Sequence, residues 1–196
     1  MFEVEAGKFL GFLLIERGIE ASPEKCSGII NIRSPISVKE VQQLTGRMVA
    51  LSRFMSAGAD KGHPYLQFLR RNSRFIWTHE CEKDFENLKK YLASPSVLCK
   101  PELGTQLRLY FAVTEKATSS VMLQEQNQVQ RPIYFVSKVL QGPEVRYQAL
   151  EKTALAVVFS ARSLRHYFQS FTIMIMTDLP IRKVLQKPDV EGRMAC

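Results

Sequence analysis

The sequence predicts an α+β protein in two differently built parts, and three features of its patterning say so. Leu107, Leu109, Phe111 and Val113 alternate with Arg108, Tyr110, Ala112 and Thr114, the period of two that places one face of a strand in a core. Further strands are predicted around Ser119 to Gln126, at Pro132 to Ser137 and at Phe171 to Thr177. Before the last of them comes a helix from Glu144 to Phe168, whose Leu150, Ala154, Val157, Val158, Ala161 and Leu164 recur at helical spacing. The residues before position 95 read instead as a short hairpin followed by helices.

Phe9 to Ile15 is predicted as one strand of that hairpin, with Gly18 at the bend after Glu16 and Arg17. Ser22 then serves as an N-cap, with Pro23 at the first helical position and Glu24 in the first turn of a helix reaching about Asn31. Pro35 ends that segment. Ser37 and Glu40 have the spacing of a capping box and open a helix to about Met55. Along it Val41, Leu44, Met48 and Leu51 form a core stripe, while Gln42, Gly46 and Ala50 lie on another face. A glycine inside a helix costs about 0.5 to 1 kcal/mol relative to alanine, so Gly46 needs a reason. Close approach of an outside backbone is one; packing against a neighbouring helix is the other.

Ser56 to Gly62 is predicted as a loop of small residues and Pro64 to Arg71 as a short helix. Thr78 caps a helix from Glu80 to Leu92 whose Cys81, Phe85, Leu88 and Leu92 are its buried stripe; Glu80 and Glu82 lie near its positive end, and Lys89 and Lys90 near its negative end. Ser94-Pro95 and Lys100 to Gly104 read as a connection between domains. The expected units are therefore a hairpin at 1–22, helices at 23–95 and a sheet domain at 104–196.

With 45% hydrophobic and 23% charged residues, the 196-residue chain has the balance of a soluble globular protein of one or two domains. No apolar run approaches the roughly 20 residues a membrane span requires. Met1 to Leu14 contains Glu3 and Glu5, which a signal peptide would not carry there. Cys26, Cys81, Cys99 and Cys196 are far apart and form no Cys-x-x-Cys pair, which suits free thiols in a reducing compartment. The net charge of +8 favours an acidic partner. Arg33, Lys39, Arg47, Arg53, Lys61, Arg70, Arg71 and Arg74 stand against Glu40 and Asp60 alone in that stretch, a footprint suited to phosphate backbone or to a solvated basic face.

Several motifs then carry a family resemblance: Phe9 to Phe12, Gly18 to Glu20, Pro23 to Lys25, Leu44 to Arg47, Phe75 to Thr78 with Glu80 and Cys81, and Thr177 with Asp178. Across essentially its whole length the chain resembles the reverse transcriptase polyprotein of Ty3/gypsy-type retrotransposons, from the end of the polymerase palm through the thumb into the RNase H domain. The resemblance implies a palm-end hairpin beside a primer terminus and a helical thumb and connection. It also implies an RNase H-like α/β domain with a mixed sheet, here expected to be truncated at the C-terminus. It likens the helix carrying Gln42 and Gly46 to the thumb helix that lies along the minor groove of a template-primer duplex, with Arg47 and Arg53 as further contacts. Ala50 stands where some relatives place a stacking Trp.

RNase H chemistry requires carboxylates converging on two divalent ions, Mg2+ in this family. The resemblance assigns Glu151 as the helical carboxylate and Asp178 as the one ending the fourth strand, while Ala112 occupies the position of the first-strand Asp. Glu115 lies beyond that strand, a fourth carboxylate is expected past Cys196, and Asp189 reads as a turn residue. Without the family, Glu151 is a helix-surface glutamate and Asp178 a strand-end residue. Polymerase chemistry needs adjacent aspartates, and the chain's aspartates are Asp60, Asp84, Asp178 and Asp189. His63, His79 and His166 are scattered. The expected function is thus that of a polyprotein fragment without productively bound Mg2+, binding template-primer or RNA/DNA duplex and the rest of its polyprotein. The alternatives are an RNase H active only in a longer product, or a domesticated interaction module using sheet surface exposed beside its fourth strand.

Overall fold

A computed structural model describes residues 6–9, 12–16, 18–69 and 75–182. Leu10, Gly11, Arg17, Arg70, Arg71, Arg74, Asp189 and Cys196 therefore lie outside the described residues. Strands β1 (Ala6–Phe9), β2 (Phe12–Ile15) and β3 (Gly18–Ala21) form an antiparallel sheet in that order. The predicted single strand from Phe9 to Ile15 is two strands, because Phe9 pairs with Phe12. A Leu-Gly dipeptide separates them in sequence, and short links containing glycine favour tight hairpins.

Helix α1 (Pro23–Ile30) follows with Pro23 in its first turn. The Ser22 hydroxyl makes no cap; the Ser22 carbonyl instead accepts from Lys25 N and Cys26 N. Helix α2 (Val38–Leu51) is shorter than predicted, and its last turn tightens into a 3-10 segment, Ser52–Phe54. The Ser37 hydroxyl accepts from Glu40 N at 3.3 Å, but the Glu40 carboxylate reaches back one residue further than a capping box requires, to Ile36 N at 2.9 Å. Helix α3 (Gly58–Leu66) replaces the predicted loop and carries Pro64 inside it. Its start is capped from afar: Ala59 N donates to the Ser137 hydroxyl at 2.9 Å.

Helix α4 (His79–Ala93) begins where predicted, with Cys81 N donating to the Thr78 hydroxyl at 3.3 Å. All four predicted core positions of α2 and all four of α4 are buried in one cluster with Ile29, Phe54 and Tyr65. Trp77 closes the end of this core, stacked on Tyr65 at 5.8 Å and meeting Phe85 edge-on at 6.0 Å. Its indole N–H and the Ser34 hydroxyl both donate to Glu82, and these bonds, Ser34 first, hold that carboxyl below its usual range.

The second sheet comprises β4 (Leu107–Val113), β5 (Ala117–Gln126), β6 (Val129–Val139) and β7 (Ile173–Met176), in the order β6-β5-β4-β7. The first three are antiparallel neighbours and β7 runs parallel to β4, so the sheet is mixed as expected. The register shifts at Met122 and Leu123, opposite Pro132, which has no N–H to give the ladder. Among the described residues β7 has β4 as its sole strand partner, and Met174 on it is exposed.

The predicted helix from Glu144 to Phe168 is three pieces: a 3-10 turn at Gly142–Arg146, α5 (Ala149–Ser163) and α6 (Arg165–Ser170). Leu164, at φ −112 and ψ 29, breaks the spiral while its own side chain stays buried in the second core with Leu107, Leu109, Met122, Ile133 and Val136. Helix α5 is buried over Lys152 to Val157 without a polar face, more fully than the predicted stripe. A buried hydroxyl pair, Ser120 with Ser160 at 2.7 Å, ties it to β5.

The two parts meet through backbone. Ile19 and Leu98 exchange hydrogen bonds of 2.7 and 2.9 Å, and Cys99 N donates to the Pro132 carbonyl at 2.7 Å, so the connecting segment joins β3 on one side and β6 on the other. Phe135 of β6 reaches into the first core.

Candidate nucleic-acid interface and remnant carboxylate site

Helix α2 presents an unoccupied face. Its buried stripe is satisfied internally, which leaves Gln42, Gly46 and Ala50 exposed on the opposite side. A Cβ added at Gly46 would meet nothing within 4 Å, so the glycine serves no packing within the described residues. Among the described residues no neighbouring helix approaches closely enough to call for a glycine there.

The predicted cations are more tied down than their sequence cluster suggests. Arg47 is exposed, but its guanidinium donates to the Gly28 carbonyl of α1. Arg53 lies between two rings, 4.5 Å from the centroid of Phe12 and 5.3 Å from that of Tyr134, clasping the hairpin to β6. Arg53 is half-buried, with its guanidinium over those two aromatic faces. Next to Tyr134, Tyr167 has its phenol pKa raised, first by burial. Lys61 donates to the Ser56 carbonyl and sits over Tyr91.

The carboxylate positions are laid out by the second sheet. Parallel pairing of β4 with β7 runs to Tyr110 opposite Met176, so Ala112 and Asp178 each lie two residues further along their chains. Ala112 is exposed, and by strand alternation it lies on the face opposite Leu107, Leu109 and Phe111. Directly across from it is Ser119, whose buried hydroxyl has no hydrogen-bond partner among the described residues. Glu151, in the first turn of α5, turns its carboxylate back to accept from Gln148 N at 3.0 Å, completing a capping box. Asp178 is exposed.

Sequence reasoning missed two groups at this end of the sheet. Lys152 is buried, and its ammonium donates to the carbonyls of Glu115 at 3.0 Å and Thr114 at 3.4 Å. Asp60 arrives from α3, where its carboxylate accepts from the Thr114 hydroxyl at 2.8 Å. Lys152 directly follows the family's glutamate, so its place was legible; nothing local to Asp60 announces a partner 54 residues away. Among the described residues no group of three His, Cys, Asp or Glu side chains could hold a metal ion. A methyl at 112, a glutamate occupied with its own helix cap and a buried ammonium do not compose the oxygen-rich shell that Mg2+ demands. Cys26, Cys81 and Cys99 form no disulfide with one another.

Among the described residues no helix is long and apolar enough to cross a membrane. Comparison with known proteins places these features. The Tf2-3 and Tf2-4 transposon polyproteins of Schizosaccharomyces pombe are each 26% identical over 164 residues, 83% of this chain and 12% of theirs. The chain thus spans about an eighth of the curated relatives it matches. A foamy viral protease-reverse transcriptase solved with dsDNA superposes at a TM-score of 0.71 with 20% identity, over 94% of this chain and 39% of that one. A second, solved with an RNA/DNA hybrid, gives 0.70 with 20% identity over 95% and 26%. The family model described as the RNase H-like domain found in reverse transcriptase matches residues 77–175, half of the chain. By that match, carried on the strands and helix just described, the chain belongs to the RNase H-like domains found in reverse transcriptases.

Proposed function

We propose that this chain is a duplex-binding part of its polyprotein, in which α2 lies along the groove of a template-primer or RNA/DNA duplex and the RNase H-like sheet acts as a non-cleaving tether behind it. The observation that carries the reading is the open glycine face of α2. A residue that weakens its own helix and, among the described residues, packs against no neighbouring element fits a backbone that comes close from outside. The dsDNA and the RNA/DNA hybrid named with the two foamy viral structures support the same class of partner. The working units are the hairpin at 1–22, the helices at 23–95 and the sheet domain at 104–196; the two hydrophobic clusters support the division before the sheet domain, while Phe12, Ile19 and Ala21 join the hairpin to the helical cluster.

A titration of labelled duplex tests the reading. Binding is expected at micromolar or weaker Kd and to fall steeply with salt. Gly46→Ala places a methyl in open space, so it should stabilise the fold by about 0.5 to 1 kcal/mol while weakening duplex binding. Gly46→Leu should weaken binding further without lowering Tm. A Gly46→Leu chain that binds duplex as wild type does would remove α2 from the interface.

Cleavage is tested separately with an RNA/DNA hybrid and Mg2+. No cleavage is expected, because Ala112 supplies no oxygen at the first-strand position. Mg2+-dependent cleavage abolished by Glu151→Gln and by Asp178→Asn would replace the tether with a working nuclease.

A further inference from the structure

Where the connecting segment bridges the hairpin and β6, it also encloses a cavity of about 300 Å³. Small-molecule sites run from roughly 300 to 1,000 Å³, so this one suits a compact ligand. Ile19, Leu98 and Ile133 give it apolar walls, and Arg53, Tyr134 and Tyr167 line it as well. Arg53 is half-buried and makes no hydrogen bond or ion pair among the described residues, because the rings of Phe12 and Tyr134 hold its guanidinium. Ring faces leave its N–H donors unused. Donors removed from water without a partner are costly, which favours an acceptor brought in from outside. Tyr134 meets Tyr167 edge-on at 6.5 Å, and neither hydroxyl is hydrogen-bonded among the described residues. Burial raises the pKa of the Tyr167 phenol, Tyr134 adds to the rise and the Arg53 charge opposes it, so the three groups are within electrostatic reach of one another. The other charged residues on the cavity, Glu16 and Lys100, are exposed and opposite in sign, which leaves Arg53 to set the charge of its interior.

We infer that this cavity binds a small monocarboxylate with a compact apolar body. Its carboxylate accepts from Arg53 and from the Tyr134 and Tyr167 hydroxyls, and its body lies against Ile19, Leu98 and Ile133. A carboxylate balances one guanidinium in charge and offers it two oxygens. A phosphate dianion would keep an uncompensated charge in a half-buried site and gain nothing from the apolar walls. Because the hairpin, the connecting segment and the second sheet all line the cavity, a bound ligand also ties these three together. The inference stands apart from the duplex reading, which rests on the glycine face of α2.

Calorimetric titration of the full chain with naphthoate tests this, with naphthamide as a probe of nearly the same shape and no charge. Naphthoate should bind and raise Tm. Naphthamide should bind about tenfold more weakly or worse, since hydrogen bonds to a charged group are the stronger kind. Tyr134→Phe with Tyr167→Phe keeps both rings and removes both hydroxyls, so the chain should fold as wild type and bind naphthoate about tenfold more weakly. Arg53→Met should remove the preference for naphthoate over naphthamide. No naphthoate binding, equal binding of the two probes, or unchanged naphthoate affinity in the folded double variant overturns the site. Inorganic phosphate should compete no better than chloride at matched ionic strength; specific competition would assign the cavity to a free anion and overturn the monocarboxylate. Labelled duplex should leave naphthoate bound, and displacement by duplex would give Arg53 to the duplex surface and overturn the separate site. Duplex binding by a chain that takes no naphthoate ends this inference and leaves the duplex reading in place.

Discussion

Gly18→Ala is expected to lose about 3 to 5 kcal/mol of stability, from backbone strain combined with overpacking and lost hydrogen bonds. Gly18 opens β3 at φ +143, a conformation that side chains rarely adopt. An added Cβ would overlap the Leu98 carbonyl oxygen and stand 2.9 Å from Cys99 Cα. Both neighbours are backbone, so no rotamer change can relieve the clash. What must move is the bridge itself, the reciprocal pair between Ile19 and Leu98 that ties the hairpin to the connecting segment. Against the roughly 5 to 15 kcal/mol typical of a folded domain this is a large fraction, and Tm should fall by about 6 °C or more. A melting curve within two degrees of wild type would show that the bridge does not form. Ile19→Ala, which leaves the backbone bonds intact, is the control that separates the bridge from the side-chain packing.

Phe85→Ala should cost a similar amount, about 3 to 5 kcal/mol, by leaving a cavity at the centre of the helical core. Phe85 of α4 is fully buried in the first core, with the Trp77 ring edge-on against it and Lys89 over its face. Trp77 is the chain's one tryptophan, so its emission reports this core alone. The expected result is a red-shifted spectrum and a lower urea midpoint by fluorescence. Hydrogen exchange then tests the division into units. Amides of α2 and α4 should lose protection while those paired between β4 and β5 keep theirs, because the second cluster does not include Phe85. Equal loss in both would mean that the two clusters open as one, and the proposed boundary between them would fail.

How far the fold could be read ahead depended on whether the decisive neighbour was close in sequence. The α4 stripe, its Thr78 cap and the α2 stripe came out as predicted, since helical spacing and caps involve residues three or four apart. The start of α3 did not. Gly58 to Gly62 is poor in helix formers, and what caps its first turn is the Ser137 hydroxyl on β6, while Gly58 fits closely against that same side chain. Leu164 behaves similarly: its apolar spacing promised a continued helix, but the sheet beneath α5 claims the side chain and the backbone turns to deliver it. Ser22 looked like a capping residue by type, yet it is buried and its carbonyl alone does the work.

The candidate site divides the same way. Ala112, Glu151 and Asp178 were named by motif, and the register shows only that Ala112 and Asp178 follow the paired residues Tyr110 and Met176 by two. The glycine face of α2 was legible as a pattern with two explanations, and its openness among the described residues could be seen only in three dimensions. The ring contacts of Arg53 could not be read ahead, because Phe12 and Tyr134 come from two other elements.

Residue order alone settled the α+β class, the mixed sheet, the family and the missing oxygen at position 112, since periodicity, motif and the identity of one side chain do not depend on what lies across the fold. Which basic groups stay available to a partner, where α3 begins and how the connecting strand seals the hairpin to β6 were decided only in three dimensions. Those outcomes rest on hydrogen bonds and ring contacts between segments tens of residues apart, whose strength depends on distance in space and leaves no periodic trace along the chain.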